Sequence, residues 1–282
     1  MEAPDRGSGA QRGRHGVNKL GVGFATFGIF LGVSGPAPVR APILPGPRLL
    51  PDTLWVSRAS TPSSPDSLFS DWSPLAFGGD RGETSYEGAV VAGRQCLRAE
   101  AVAGGSGLLK LIQARPDSLP RIRWSWWVAG PVPGGDLSRK EGDDFSARLY
   151  VNFRFEPSKA GLLHRLRQRL ANGRFGGEAP GKALVYVWGN QAPVGSVAKS
   201  AYTDQAALVV VRSGEEGAGR WWVEERNIRE DYLEAFGEEP PEFHSLAIMT
   251  DADDTGSFAS ACYGDILLLP PKAPALMGSG TP

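Results

Sequence analysis

The sequence predicts an all-β fold, an antiparallel β-sandwich or jelly roll carrying two short inserted helices. Three observations point there. Strand-length segments alternate apolar and polar side chains with a period of two, most clearly in Ala147–Phe155 (ARLYVNFRF). Clusters of Gly, Pro, Asn and Asp bound these segments, and the 282 residues include 37 Gly and 23 Pro. No stretch repeats the strand–helix–strand rhythm that a parallel sheet needs.

In chain order, residues 1–41 read as a secretory signal peptide. Arg6, Arg12, Arg14 and Lys19 precede an apolar core, Leu20–Val33, and small residues follow, with Ala37 or Ala41 as cleavage ends. The core is shorter than the roughly 20 residues of a transmembrane helix. A periplasmic or secreted protein is therefore expected, with an uncleaved membrane anchor as the alternative. Residues 42–67 are rich in Pro and Ser and read as a linker holding a short strand at Thr53–Val56. The sandwich is expected over residues 68–270 and a flexible tail over residues 271–282.

Within the sandwich, Cys96–Val102 and Gly107–Gln113 are expected to pair as a hairpin around Gly104-Gly105. Arg121–Ala129 sets Ile122, Trp124, Trp126 and Val128 on one face, and Ala147–Phe155 does the same with Leu149, Val151, Phe153 and Phe155. Ala183–Trp188, Ala207–Arg212 and Arg220–Arg226 follow as strands. Ser245–Asp265 reads as a second hairpin, with Leu246–Thr250 turning through an acidic loop into a strand that ends at Tyr263-Gly264-Asp265. Two helices interrupt the pattern. Ser158–Asn172 carries a stripe of Leu162, Leu163, Leu166 and Leu170 and stops at Gly173. Asn227–Phe236 has Asn227 as its N-cap, Asp231 near the positive end and Gly237 as its stop.

A net charge of −1 gives no overall field to attract nucleic acid. Three histidines, His15, His164 and His244, leave little for an imidazole metal site or a triad. Neither His164 nor His244 adjoins a G-x-S-x-G turn. Cys96 and Cys262 lie in the first and last clear strands. In an oxidising compartment they are expected to form a disulfide; buried free thiols are the alternative.

Several blocks then recur in one order: Lys140-Glu141-Gly142-Asp143-Asp144 before a strand, Tyr186-Val187-Trp188, Glu225-Arg226-Asn227 with Glu230-Asp231-Tyr232, and Phe236-Gly237-Glu238-Glu239-Pro240-Pro241. Met249-Thr250-Asp251-Ala252-Asp253 and Tyr263-Gly264-Asp265 complete the set. From about Leu68 to Leu269 the chain resembles the bacterial family called domain of unknown function 3047. Asp254 stands where that family's acidic turn usually has Asn, and Cys262 where an aromatic is common. The resemblance implies a jelly roll similar to the galactose-binding-like folds and implies no particular activity.

Four constellations bear on function. Arg148, Tyr150, Asn152 and Arg154 share one side of a strand, Tyr186 and Trp188 a side of another, and Trp222, Glu224 and Arg226 a side of a third. Flat aromatics among Arg, Asn and carboxylates suit a carbohydrate or another small polar ligand, so one open wall of these residues is the expected binding face. The other reading is a half-polar second core closed by Arg–carboxylate pairs. The acidic turn offers Asp251, Asp253 and Asp254, with Asp265 or Asp144 adding oxygens: a structural Ca²⁺ is one expectation, and a turn closed by its own N–H groups is the other. Glu224 with Asp144 or Asp251 would be needed for a glycan-acting hydrolase. Lys159, Arg165, Arg167, Arg169 and Arg174 make the first helix basic, the basis of an alternative role as an envelope scaffold; that helix and the signal segment are the only expected membrane contacts. Gly176–Lys182 matches G-x-x-x-x-G-K but lacks the following Ser or Thr and leads into a strand, so it reads as a turn.

Overall fold

The computed structural model describes residues 53–61, 68–76, 82–158 and 179–272. The expected signal segment, the basic helix with His164, most of the linker and most of the tail lie outside the described residues. Thirteen strands are described: β1 (Leu54–Ser57), β2 (Ser73–Ala76), β3 (Ser85–Val91), β4 (Arg94–Val102), β5 (Gly105–Leu111), β6 (Arg121–Val128), β7 (Arg148–Phe153), β8 (Ala183–Gly189), β9 (Val197–Lys199), β10 (Ala206–Ser213), β11 (Trp222–Asn227), β12 (Phe243–Asp251) and β13 (Phe258–Leu269). One α-helix, α1 (Ile228–Phe236), separates β11 from β12. The fold is the expected all-β sandwich. Sheet A runs β11-β6-β13-β4-β3 with β1 added on β13, and sheet B runs β2-β5-β12-β7-β8-β10-β9. Pairing is antiparallel except between β8 and β10, which lie parallel because the chain returns through the outer strand β9 before pairing.

Period-two alternation decides which side of each strand faces the partner sheet. Ile122, Trp124, Trp126 and Val128 of β6 and Leu149, Val151 and Phe153 of β7 are at most 1% exposed and share one interior. Its centre is aromatic. Trp124 stacks on Tyr186 with centroids 5.0 Å apart and meets Trp126 edge-on at 5.4 Å; Phe153 packs edge-on against Tyr232 of α1 at 4.5 Å. Helix α1 starts where the sequence sets it: the Asn227 side chain accepts the N–H of Arg229 (3.2 Å) and of Glu230 (3.4 Å). Gly237 ends it at φ 71°, a left-handed conformation that glycine adopts without a Cβ clash.

Both expected hairpins are corrected. β4 belongs to sheet A and β5 to sheet B; likewise β12 lies in sheet B and β13 in sheet A. Each turn is therefore an arch that carries the chain from one sheet to the other. The two arches sit side by side, held by Ala252 N–H to Gly104 O (2.9 Å) and Ala103 N–H to Ser257 O (2.8 Å). A Cβ on Gly104 would stand 2.4 Å from the carbonyl oxygen of Gly82, so only glycine allows this approach.

Over β8 and β10 the outer face of sheet B is covered. Val185, Val187, Leu208 and Val210 form a second apolar cluster there with Phe145, and Leu137 and Ala192 pack onto it. Every residue of β12, near the middle of sheet B, is buried as well.

Cys96 and Cys262 form a disulfide between neighbouring strands β4 and β13, Cα–Cα 5.7 Å, 166 residues apart in sequence. Replacing both by Ala is expected to lower the unfolding free energy by about 2–5 kcal/mol, measured by denaturant titration under oxidising conditions. An unchanged midpoint would mean the bond constrains the unfolded chain little.

Candidate functional site

Arg148 projects from β7 into the covered outer side of sheet B, where its side chain is 6% exposed. An uncompensated guanidinium there would be very costly. Asp251, the last residue of β12, answers it: Arg148 Nε donates to Oδ1 at 2.9 Å and a terminal nitrogen donates to Oδ2. Asp143 Oδ2 lies 3.5 Å from the other terminal nitrogen, and the Phe145 ring lies 4.5 Å below the guanidinium. Burial opposes the charge on Arg148, but the Asp251 carboxylate, Tyr150 and Asp143 outweigh it and push its pKa well above the usual value. Asp251 also accepts the Phe145 N–H at 3.0 Å, while Asp144 accepts the N–H groups of Asp254 (3.2 Å) and Thr255 (2.6 Å) in the arch. The polar groups at the start of β7 thus clamp the point where the chain leaves sheet B.

Asp144, Asp251 and Asp253 bring one carboxylate oxygen each within 4.8 Å of one another. Asp254 and Asp265 do not join them: Asp254 accepts from the Tyr202 hydroxyl at 2.6 Å, and Asp265 accepts from Ser60 N–H (2.8 Å) and Oγ (2.5 Å). As a calcium site the cluster is crowded by its own cation. Arg148 and three backbone N–H groups already take the oxygens of Asp251 and Asp144.

The expected single binding wall is corrected by the sheet geometry. Tyr150 and Asn152 point outward from β7; Tyr186 and Trp188 of β8 point inward and are 0% exposed. Leu149, an interior residue, pairs directly with Tyr186, which fixes the phase. Tyr150 is half-buried with its hydroxyl 3.7 Å from Met249 Sδ, and Asn152 donates to Ser245 Oγ at 3.1 Å. Ser245, also 2.9 Å from His244 Nδ1, is fully buried and closed to a substrate. Arg154 lies at the rim, 3.8 Å from Glu242, beside a cavity of about 300 Å³ that Arg115 also lines.

Trp222, Glu224 and Arg226 of β11 sit on the inner side of sheet A at its edge, and Arg226 shares a partner with Tyr186. Tyr186 donates to Asp231 at 2.8 Å, and Arg226 Nε donates to the same carboxylate at 3.0 Å. Glu224 accepts from Arg212 Nε at 2.7 Å. The guanidiniums of Arg212 and Arg220 lie over the Trp222 ring, 3.4 and 4.6 Å from its centroid. These groups satisfy one another. Glu224 of sheet A and Asp251 of sheet B, candidates for a paired carboxylate mechanism, are each bound to a different arginine, Arg212 and Arg148.

An aromatic-walled cavity lies elsewhere, beside β1 and β5. Trp55 on β1, Lys110 on β5 and the turn Phe69–Trp72 surround a cavity of about 380 Å³ that Arg58 and Asp71 also line. Lys110 Nζ reaches across the gap between the sheets to Asp71 (2.5 Å) and to the carbonyl of Val56 (2.8 Å). Arg58 stacks over the Trp55 ring at 4.7 Å. The indole N–H groups of Trp55 and Trp72 are buried without an acceptor. Phe69, packed 4.9 Å from Trp72, holds φ 58°, a conformation that costs a bulky side chain about 1–2 kcal/mol and that gathers at ligand sites. Sequence reasoning missed this site because Trp55 and Arg58 fall in the Pro/Ser-rich linker. Trp55 itself was the available signal, since a solvated linker has no use for a large aromatic.

Arg148→Ala is expected to cost about 3–5 kcal/mol of stability by stranding Asp251. A double-mutant cycle with Asp251→Ala, followed by urea denaturation, should show coupling above about 1 kcal/mol. Additive losses would refute the clamp.

No helix among the described residues is long and apolar enough to cross a membrane. No curated protein matches the chain. Among solved structures it is similar to the family 30 carbohydrate-binding module of a cellulosomal cellulase of Clostridium thermocellum, at 11% identity over 71% of this chain and 95% of that one, TM-score 0.34. It is also similar to a loop-swap mutant of Xyn11A from Necallimastix patriciarum, at 10% identity over 70% of this chain and 95% of that one, TM-score 0.27. A family model matches residues 70–267, and by that match the chain belongs to the family described as protein of unknown function DUF3047.

Proposed function

We propose that this protein is an exported, non-catalytic β-sandwich that binds a carbohydrate in the cavity between Trp55 and Trp72. The observation that carries the reading is the pairing of aromatic walls with unsatisfied polar groups. Trp55 and Trp72, whose buried indole N–H groups lack acceptors as do those of Trp124, Trp126 and Trp127, are the two of these five that line a cavity, together with Arg58, Lys110 and Asp71. The C–H face of a sugar ring packs on an indole, while its hydroxyls and ring oxygens supply the missing acceptors. The volume, about 380 Å³, falls within the usual range of small-ligand pockets. Export is supported by the basic and apolar N-terminal segment and by the Cys96–Cys262 bond, which persists in oxidising compartments.

Affinity electrophoresis of the full-length protein through gels holding soluble polysaccharides tests the reading. Retention by at least one polysaccharide is expected, and Trp55→Ala should weaken it by about tenfold or more, the effect of an aromatic anchor. The half-buried position of Trp55 makes its melting temperature a usable control. Retention unchanged in Trp55→Ala, or no retention on any gel, would overturn the proposal.

A further inference from the structure

We infer that the cavity selects an acidic sugar, one whose ring carries a carboxylate; this rests on the carbohydrate reading above. The side chains around the cavity are unbalanced in favour of donors. Trp55 and Trp72 carry buried, unpaired N–H groups that can only donate, and Lys110 and Arg58 likewise have no acceptor capacity. Against these stands one carboxylate, Asp71, whose side chain is 65% exposed and which Lys110 already engages. Ser57 and Thr61 hydroxyls also line the cavity and can act either way. Arg58 has no carboxylate partner among the described residues.

A neutral sugar hydroxyl brings a donor with every acceptor, so it leaves this imbalance in place. A ring carboxylate brings acceptors alone, and a negative charge to meet the second cation. Arg58 stands over Trp55 at the cavity wall. A ring held in the cavity has its carboxylate within reach of this guanidinium, whose planar fork fits two oxygens. Arg58 thus sets specificity, and the indoles set the general affinity for a ring.

The test is isothermal titration of the full-length protein with trigalacturonic acid and with its methyl ester, which keeps the rings and masks the charge. The acid is expected to bind at least about tenfold more tightly at low salt, with the advantage shrinking as salt is raised. Arg58→Gln, a change at an exposed side chain, should weaken the acid by at least about fivefold more than the ester, removing most of the acid's advantage. Equal affinities for acid and ester would overturn the selectivity, as would an Arg58→Gln variant that loses both ligands equally. Retention of neutral polysaccharides through Trp55 without binding of the acid would also refute it and leave the pocket standing. No binding to any glycan would remove both.

Discussion

A charged side chain in a covered layer must find its counter-charge there, and Arg148 meets that demand at the place where the chain changes sheets. Asp251 ends β12 and begins the arch; its carboxylate binds the guanidinium and the Phe145 N–H together. Asp144 holds the next N–H groups of the same arch. From sheet A, the Tyr263 hydroxyl crosses the interior to the Met249 carbonyl at 2.6 Å, fixing the strand just before the crossing. Register in sheet B and the spacing of the two sheets converge on this point.

That clamp also decides which polar groups remain for a ligand. Arg148, Asp251 and Asp144 have the residue types of a binding or metal site, yet each is consumed by the others or by backbone. At the β11 edge, Asp231 and Glu224 are consumed in the same way by Arg226 and Arg212. Polar density alone therefore does not mark a group free to bind. Unspent donors beside an open volume are the more informative sign, and they occur where Lys110 bridges β1 and the Phe69–Trp72 turn.

Much of the fold was legible because one-sided strands announce their facing. β6 and β7 alternate cleanly, and their apolar residues lie in the interior as read. β8 is apolar on both faces, so nothing in ALVYVWG says which side meets the other sheet; Tyr186 and Trp188 were consequently set on the wrong wall. Hairpins and arches use the same turn residues, and only long-range pairing separates them. The short or exposed strands β2, β3 and β9 carry too little pattern to be seen. The cap and stop of α1 were readable because they are local chemistry. The cavity was not, since it is assembled from a segment resembling a linker and from β5, far apart in sequence.

A ligand that supplies the acceptors missing at Trp55 and Trp72 would change the environment of both indoles. Eight tryptophans give indole N–H signals that nitrogen-15 correlation spectra can follow one by one during titration with trigalacturonic acid. The Trp55 and Trp72 signals are expected to shift and saturate together while those of the interior residues Trp124, Trp126 and Trp188 stay in place. Saturating shifts confined to other indoles, with Trp55 and Trp72 unmoved, would contradict that expectation.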